Sequence, residues 1–298
     1  MDNTEHLNNE YNEEIILKKR SQIVEVWKRL RKSRMAIFGL CIILILILTA
    51  IFADVIAPYD YAEQNYAEIL MKPCAKHLFG TDNYGRDILS RIIYGARMSL
   101  LVGFISLISG ALVGSILGAI AGYFGGIVDT IIMRGSDILS SIPGTVLAIS
   151  IATTLGPGLV NVMIAVGISS IPGFTRVVRG STLTVIGQEY VEGAHAIGAS
   201  DSRIVSKYIF PNVLSPIIVQ ATLGVGISII MAAALSFLGL GIQPPTPEWG
   251  NMLSSARADM RNYPHLVVFP GLAIMLTVLG LNLFGDGLRD ALDPKLKK

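Results

Sequence analysis

The amino-acid sequence predicts an all-α, polytopic membrane protein with six transmembrane helices. Its 298 residues are 52% hydrophobic and only 15% charged, and the mean hydropathy of +0.58 is too high for an ordinary soluble domain. A hydrocarbon core of roughly 30 Å is crossed by about 20 apolar helical residues. Six stretches have about this length, at 36–57, 98–123, 134–155, 159–175, 211–235 and 266–286.

The distribution of basic residues predicts how these spans are oriented. Eight Lys and Arg residues lie between Lys18 and Arg34, with Glu25 as the one acidic residue among them. Segment 1–35 is therefore predicted to be cytoplasmic, because basic residues beside the first span stay inside. Alternation places about 17 of the 24 Lys and Arg residues inside, together with tail 289–298, so both termini are predicted to be cytoplasmic. The net charge of only +2 does not indicate a nucleic-acid partner.

The first span, 36–57, follows a basic amphipathic stretch. Apolar residues recur in that stretch at helical spacing: Ile23, Val26, Trp27 and Leu30. A helix lying in the headgroup region explains them, and an ordinary extension of the span explains them equally well. The run Ala50-Ile-Phe-Ala53 resembles a signal-cleavage site, but the long charged segment before the span is not typical of a secretory signal. We expect a retained anchor, followed by an external loop at 58–97.

The other five spans form a predicted core at 98–288. In the first of them, a glycine recurs every four residues on one helix face, at Gly110, Gly114, Gly118 and Gly122. Glycine at this spacing lets a second helix approach closely in lipid, and the G-x-x-x-x-G-K-[ST] pattern of a nucleotide-binding loop is absent from the sequence. The spans also carry polar or kinking residues, which suit a polar passage and serve equally as interhelical hydrogen bonds and kinks. These are Ser140, Ser141, Pro143, Thr145, Asn161, Ser169, Ser170, Pro172, Gln220, Thr222 and Asn282.

The motifs of common enzyme classes are missing from the sequence. Neither H-E-x-x-H nor G-x-S-x-G occurs, and the four histidines lie in separate segments without metal-ligand spacing. Cys41 and Cys74 do not make a disulfide framework. Ionisable residues at membrane depth are functional candidates, but Asp129, Arg134 and Asp137 lie at the mouth of the third span, where snorkelling or mutual pairing explains them. We therefore expect no enzymatic activity, no cofactor and no metal site.

A charged stretch at 188–211 is the most informative part of the chain. It lies between two stretches without any Asp, Glu, Lys or Arg, at 138–175 and 208–247. Helical spacing predicts a helix over 188–197 that ends at Gly198, and then a second short helix that ends near Tyr208. The small residues would make a narrow ridge that fits a groove on a partner protein. By composition alone, an amphipathic turn lying on the membrane surface is an equal alternative.

This stretch resembles the EAA motif of ABC importer permeases, E-A-A-x3-G-x9-I-x-L-P. Four residues are in register with the motif: Glu192, Ala194, Gly198 and Pro211. Three residues depart from it, because Gly193, Tyr208 and Phe210 replace an Ala, the Ile and the Leu. In that family the loop is the coupling helix that docks into the ATPase subunit. The resemblance implies the same role here, with Glu192 and Gly198 as its central residues.

Two further stretches resemble the second permease subunit of dipeptide and oligopeptide importers. The stretch at 77–100 contains Gly80, Thr81, Asp82, Gly85, Arg86 and Asp87, and the stretch at 236–252 contains Trp249 and Gly250. Both are predicted to be external, where a substrate-delivering protein would approach. Their glycines and prolines are turn formers, so that a purely structural role in rigid loops is equally compatible with them.

The resemblance implies a type I ABC importer permease fold in a bacterial or archaeal cell (inner) membrane. It also implies the partners: a homologous second permease, two cytoplasmic ATPases and an extracytoplasmic peptide-binding protein, with alternating access driven by ATP hydrolysis in the partners. Importers of this kind that carry nickel or another small solute are an alternative. A stand-alone secondary transporter is disfavoured, because the sequence places no carboxylate in mid-membrane and shows no inverted repeat.

Overall fold

The computed structural model describes residues 22–292, and side chains from Val24 onward. Most of the predicted N-terminal segment, residues 1–21, and the end of the tail, residues 293–298, lie outside this range. Helices dominate the described range, in which Thr81 and Asp87 form an isolated β-bridge. In chain order the helices are α1 Gln22–Leu30, α2 Arg34–Ile51, α3 Ala53–Ile56, α4 Ile88–Phe124, α5 Gly126–Ser141, α6 Gly144–Leu155, α7 Leu159–Ile186, α8 Glu189–Ala196, α9 Asp201–Ile204, α10 Phe210–Phe237, α11 Trp249–Ser255 and α12 His265–Leu292.

The all-α, membrane-spanning fold class is confirmed. Five helical stretches within the described residues are long and apolar enough to cross a membrane, and there are six when the bent pair of α5 and α6 is counted as one span. Several helices are longer than predicted. α4 begins ten residues before the predicted start because Asp87 caps it, accepting a hydrogen bond from Ser90 N at 2.7 Å. With 37 residues, α4 is about 55 Å long.

The third span is not the continuous helix that we predicted for 134–155. α5 and α6 meet at an angle of 88° across Ile142 and Pro143. Ile142 has an extended backbone, with φ −95° and ψ 129°, as expected of a residue that precedes proline. Pro143 also has no N–H group to continue the helical hydrogen bonds. The proline that the sequence marked as a kinking residue therefore breaks the span.

The fifth span also differs from the prediction of a separate short helix before 211. α9, a π-helical turn at Val205–Ile209 and α10 run on without interruption, from Asp201 to Phe237. In the π turn, Phe210 N donates to Val205 O, five residues earlier. This shifted pattern accommodates Pro211, which has no N–H group to donate. The loop at 188–211 is thus joined to a transmembrane helix through continuous helical backbone.

Glycines on α4 allow the closest helix packing in the bundle, as the sequence predicted. A Cβ atom on Gly114 would lie 2.6 Å from Ile171 O of α7, and one on Gly118 would lie 2.5 Å from Thr175 O. Gly110 and Gly122 approach α7 in the same way, at Ser170 and Thr182 respectively. Any side chain at these positions would push the two helices apart, because helix association in lipid depends on close backbone approach.

The first span packs on the last one. A Cβ on Gly39 of α2 would lie 2.6 Å from Gly280 O of α12, so small residues again permit close contact. Before this span, Leu30 of α1 is buried with Ala36 and Ala291. Trp27, three residues earlier on α1, is half exposed.

Candidate functional site

The two regions selected from the sequence lie at opposite ends of α4. The loop at 188–211 packs near the end of α4 at Tyr123. The outer loop, which we define as residues 57–87 and 239–264, packs around its beginning at Ile88. The length of α4, about 55 Å, separates the two regions.

The helix α8 is held to the bundle by two side chains. Val191 and Ala194 are buried in a cluster that includes Ala119 of α4 and Val178 of α7. Tyr190 and Ile197 lie at helical spacing from these two residues but are exposed, Ile197 by 81%.

The remaining residues of α8 point away from the bundle. Glu192 and Gly193 are exposed, and a side chain added at Gly193 would meet no atom within 4 Å. Together with Ile197 they form a surface of one carboxylate, one bare backbone position and one large apolar side chain. A surface of this composition can enter an apolar groove, because the glycine leaves room for close approach.

Gly198 ends α8 with a Schellman motif. Its N–H donates to His195 O at 2.9 Å, and the next residue, Ala199, donates to Ala194 O at 3.1 Å. Gly198 has φ +75°, the left-handed conformation that glycine adopts without strain. Since nothing lies within 4 Å of the position of its Cβ, backbone conformation and not space within this chain is what requires glycine here.

A hydrogen bond ties the second half of the loop to α4. Tyr123 Oη donates to Asp201 Oδ1 at 2.7 Å, and its ring lies parallel to that of His195 at 6.1 Å. Ser200 precedes α9 as its N-cap residue, but its side chain makes no capping hydrogen bond. Pro211 is exposed within the continuous helix that follows.

Ion pairs link α5 to α7 at this end of the bundle. Arg179 donates through Nη2 to Asp129 Oδ2 at 2.6 Å, and Arg176 donates to Asp137 Oδ1 at 3.2 Å. The sequence suggested mutual pairing among the ionisable residues of the third span. The acidic residues instead pair with arginines of the neighbouring helix.

In the outer loop, Asp82 lies between two buried arginines. Its carboxylate accepts from Arg86 Nε at 2.7 Å and lies 3.6 Å from Arg91 Nε. Arg86 and Arg91 are 3% and 4% exposed, so this carboxylate compensates charges that have left water. Arg91, at the start of α4, also donates to Tyr61 O at 3.0 Å and to Pro245 O at 3.3 Å, so it joins the two halves of the outer loop.

Asp87 connects the loop to α4. Besides capping the helix, it is paired through Oδ1 with His77 Nδ1 at 2.9 Å. Thr81, fully buried, accepts a hydrogen bond from Met71 N at 2.9 Å and donates one to the backbone carbonyl of Glu68. Gly80 and Gly85 both have positive φ, at +81° and +72°.

Trp249 and Gly250 bind the outer loop to the helices. Trp249 is fully buried and donates through Nε1 to Ile92 O of α4 at 3.1 Å. A Cβ on Gly250 would lie 2.6 Å from Ala233 Cα of α10.

Glu248, which precedes Trp249, is 3% exposed and caps α11, accepting hydrogen bonds from Gly250 N at 2.8 Å and from Asn251 N at 2.9 Å. Burial raises the pKa of Glu248 above the usual range of glutamate, although these two N–H groups act in the opposite direction.

The outer-loop residues selected from the sequence therefore occupy the interior of that loop. The side chains among them bind neighbours within the loop or on α4. The exposed surface consists of neighbouring residues, among them Tyr66, Leu78, Tyr84 and Met260. Sequence reasoning did not single out His77, Arg91 or Glu248, although all three lie inside the selected stretches. These residues were difficult to recognise from the sequence, because only their burial in the structure shows that their charges need partners.

Comparison with known proteins assigns the family. Residues 114–298 match the model of the binding-protein-dependent transport system inner membrane component, and residues 21–73 match that of the N-terminal TM domain of oligopeptide transport permease C. The chain belongs to this permease family. It is a multi-pass membrane protein, and the match includes the whole loop at 188–211.

Relatives and a solved structure agree with this assignment. The permease is 50% identical over 273 residues to the dipeptide transport system permease protein DppC of Alkalihalophilus pseudofirmus, covering 92% of this chain and 90% of that protein. It is 52% identical over 274 residues to the glutathione transport system permease protein GsiD of Escherichia coli O6:K15:H31, with the same coverage. A chain of the inward-facing MetNI methionine ABC transporter aligns with a TM-score of 0.56 at 19% identity, over 68% of the permease and 96% of that chain. The fold is thus that of a type I ABC importer permease.

Proposed function

We propose that this chain is the permease subunit of an ATP-driven importer of dipeptides or oligopeptides. A homologous second permease completes the passage, two cytoplasmic ATPases hydrolyse ATP, and an extracytoplasmic binding protein delivers the peptide. The chain itself is not catalytic. Family membership supports the importer class, and the two relatives named for dipeptide and glutathione transport support a peptide cargo.

The observation that carries the coupling role is the shape of the loop at 188–211. Val191 and Ala194 anchor α8 on the bundle, while Glu192, Gly193 and Ile197 remain exposed. A helix held on one side and bare on the other is suited to docking into a groove of the ATPase. Alternating access follows if the two states of the ATPase dimer bind this loop differently, since a partner that binds both states equally shifts no equilibrium.

The loop and both termini are cytoplasmic in this proposal, and the outer loop faces the binding protein. The basic residues before α2 support this orientation. Both relatives come from bacteria, which supports a location in a bacterial cell membrane.

Replacement of Gly198 by leucine tests the proposal in the assembled transporter. Gly198→Leu should reduce co-purification of the ATPase subunits and uptake of Ala-Ala, because leucine both strains the turn and adds bulk to the docking surface. Gly187→Leu is the matched control. Gly187 ends α7 with an ordinary φ of −77° and no neighbouring atom within 4 Å of its Cβ position.

The amount of inserted permease should be equal in both variants. Wild-type uptake and wild-type ATPase co-purification in Gly198→Leu would refute the coupling role. Failure of the unmodified transporter to take up any peptide would instead refute the cargo.

A further inference from the structure

A cavity among three helices, lined mostly by apolar groups and partly open to the surface of the chain, has no role in the coupling loop or the outer loop. Its volume is about 180 Å³, and it is bounded by α4, α7 and α10. The polar side chains that line it are Ser169, Ser170, Gln220 and Ser228, and no ionisable side chain lines it among the described residues. Gln220 lies 19 residues after Asp201 on continuous helix, about 28 Å from the coupling-loop end. The cavity therefore lies at membrane depth.

Gln220 is the unusual member of this group. Its carboxamide forms no hydrogen bond with any residue that the structure describes, in contrast to most serines and threonines of the spans, which donate to carbonyls of their own helix. Gln220 is partly exposed and borders the cavity, so water or a passing solute can supply its missing partner.

The serines extend this polar surface. Ser169 and Ser170 donate their protons to Ala165 O and Gly167 O, both at 2.8 Å, which leaves their oxygen lone pairs free to accept. Gln220 offers both a donor and an acceptor. This combination is neutral, and it matches the donor and acceptor of a peptide bond.

The surrounding backbone leaves space at this place. Gly173 of α7 faces Gln220, since a Cβ there would lie 3.9 Å from Gln220 Nε2. Each of the two helices that carry the polar groups also contains a proline near the cavity, Pro172 in α7 and Pro216 in α10. A proline removes one helical hydrogen bond and marks a place where a helix bends.

We propose that Gln220, Ser169, Ser170 and Ser228 form a neutral hydrogen-bonding site in the transport passage, where the peptide bonds of the cargo bind during transport. This inference rests on the proposed function as a peptide permease. The cavity is smaller than the roughly 300–1,000 Å³ of pockets that enclose a whole small ligand. It suits brief contact with one segment of the cargo, and its neutrality accepts peptides whatever the charge of their side chains.

Cysteine accessibility in the assembled transporter tests the position of the site. In a chain carrying Cys41→Ala and Cys74→Ser, either Gln220→Cys or the nearly isosteric Ser169→Cys is treated with a charged, water-soluble methanethiosulfonate. Leu112→Cys is the matched control. Leu112 is 60% exposed on α4, within one turn of Gly110, which contacts Ser170, but it lies on the opposite side of that helix.

We expect the cysteines at 220 and 169 to react at least tenfold faster than the one at 112, and Ala-Ala supplied with ATP and the binding protein to slow their reaction. Equal rates at the three positions would overturn the inference, and so would fast reaction without any protection by peptide. These outcomes count only where the parent chain takes up Ala-Ala, so that failure of the proposed function is recognised separately.

A charge placed in the site tests its neutrality. Gln220→Glu should reduce uptake of Asp-Ala relative to Lys-Ala at least tenfold, a ratio that a general loss of transport leaves unchanged. An unchanged ratio of the two peptides would overturn the assignment of Gln220 as a cargo contact.

Discussion

Replacement of Gly198 by alanine tests the left-handed turn of the loop at 188–211 without adding a bulky side chain. Gly198 has φ +75°, and no atom lies within 4 Å of its Cβ position. Alanine therefore fits sterically within this chain, and its cost is the left-handed backbone alone, about 1–2 kcal/mol. If the left-handed turn is the form that docks, the docking-competent fraction falls by a factor of about 5–30, and the apparent Kd for the ATPase rises by the same factor.

The measurement is a titration of the purified ATPase subunit against the permease pair in detergent or nanodiscs, with wild type, Gly198→Ala and Gly198→Asn in parallel. Asparagine tolerates the left-handed conformation better than alanine does, so its apparent Kd should lie between the other two. Gly193→Ala completes the set. This residue lies within α8 with open space around it, and alanine should stabilise the helix by about 0.5–1 kcal/mol and bind at least as tightly.

Two results would contradict this reasoning in different ways. An affinity of Gly198→Ala within twofold of wild type would show that the turn is not required for docking. Weaker binding by Gly193→Ala would show that the ATPase groove itself excludes a methyl group at this position, so that contact with the partner and not the conformation of the loop limits affinity.

Three further perturbations test packing and the outer loop. Gly114→Leu should destabilise the chain by about 1–3 kcal/mol or more, since its side chain would meet a carbonyl of α7; Gly135→Leu, with no atom within 4 Å, should leave thermal unfolding unchanged. Because the pKa of Glu248 is raised in the folded protein, protonation of this carboxyl stabilises the fold. That stabilisation is complete below the unfolded pKa of 4.5 and is lost as pH rises through the folded pKa. Glu248→Gln should therefore flatten the dependence of thermal unfolding on pH, and an unchanged slope would contradict this. Asp82→Asn should lower the free energy of unfolding by about 3–5 kcal/mol, because it leaves two buried arginines without a carboxylate. The double variant with Arg86→Gln should recover part of this free energy, and chemical unfolding that shows no recovery would contradict the pairing.

Sequence reasoning performed well where one residue type decides the local structure. Apolar length predicted the spans, and the glycines repeated every four residues predicted a close helix contact on α4, which the structure shows is made with α7. It failed where a helix boundary depends on a side-chain cap or on a change of hydrogen-bond pattern. Asp87 starts α4 ten residues early by capping it, and the π turn at Val205–Ile209 carries the helix past Pro211. Neither feature follows from hydropathy.

The candidate site shows the same division. Gly198 was identifiable because a helix that ends in a left-handed turn requires glycine. The outer-loop residues were recognised by resemblance, which does not distinguish a binding surface from a framework. Burial makes that distinction, because Arg86 and Trp249 are enclosed and satisfied by neighbours within this chain. The loop they build accounts for these residues, and a partner would contact the exposed residues around them.

One helical stretch physically connects the three regions. The segment from Asp201 to Phe237 begins in the loop at 188–211, where Tyr123 donates a hydrogen bond to Asp201, and carries Gln220 to the cavity. Near its far end, Ala233 lies against Gly250 of the outer loop.

The loop at 188–211 also contacts the bundle through side chains such as Val191, but small shifts in packing can absorb a displacement transmitted through those contacts. A helix that is continuous in its hydrogen bonds resists compression along its axis, so a displacement of the loop reaches the cavity through this stretch first. Pro216, which removes one of those hydrogen bonds between the loop and Gln220, is the point where the stretch bends most readily. A push at the loop would thus appear at the cavity mainly as a change of tilt, which widens or narrows the space beside Gln220.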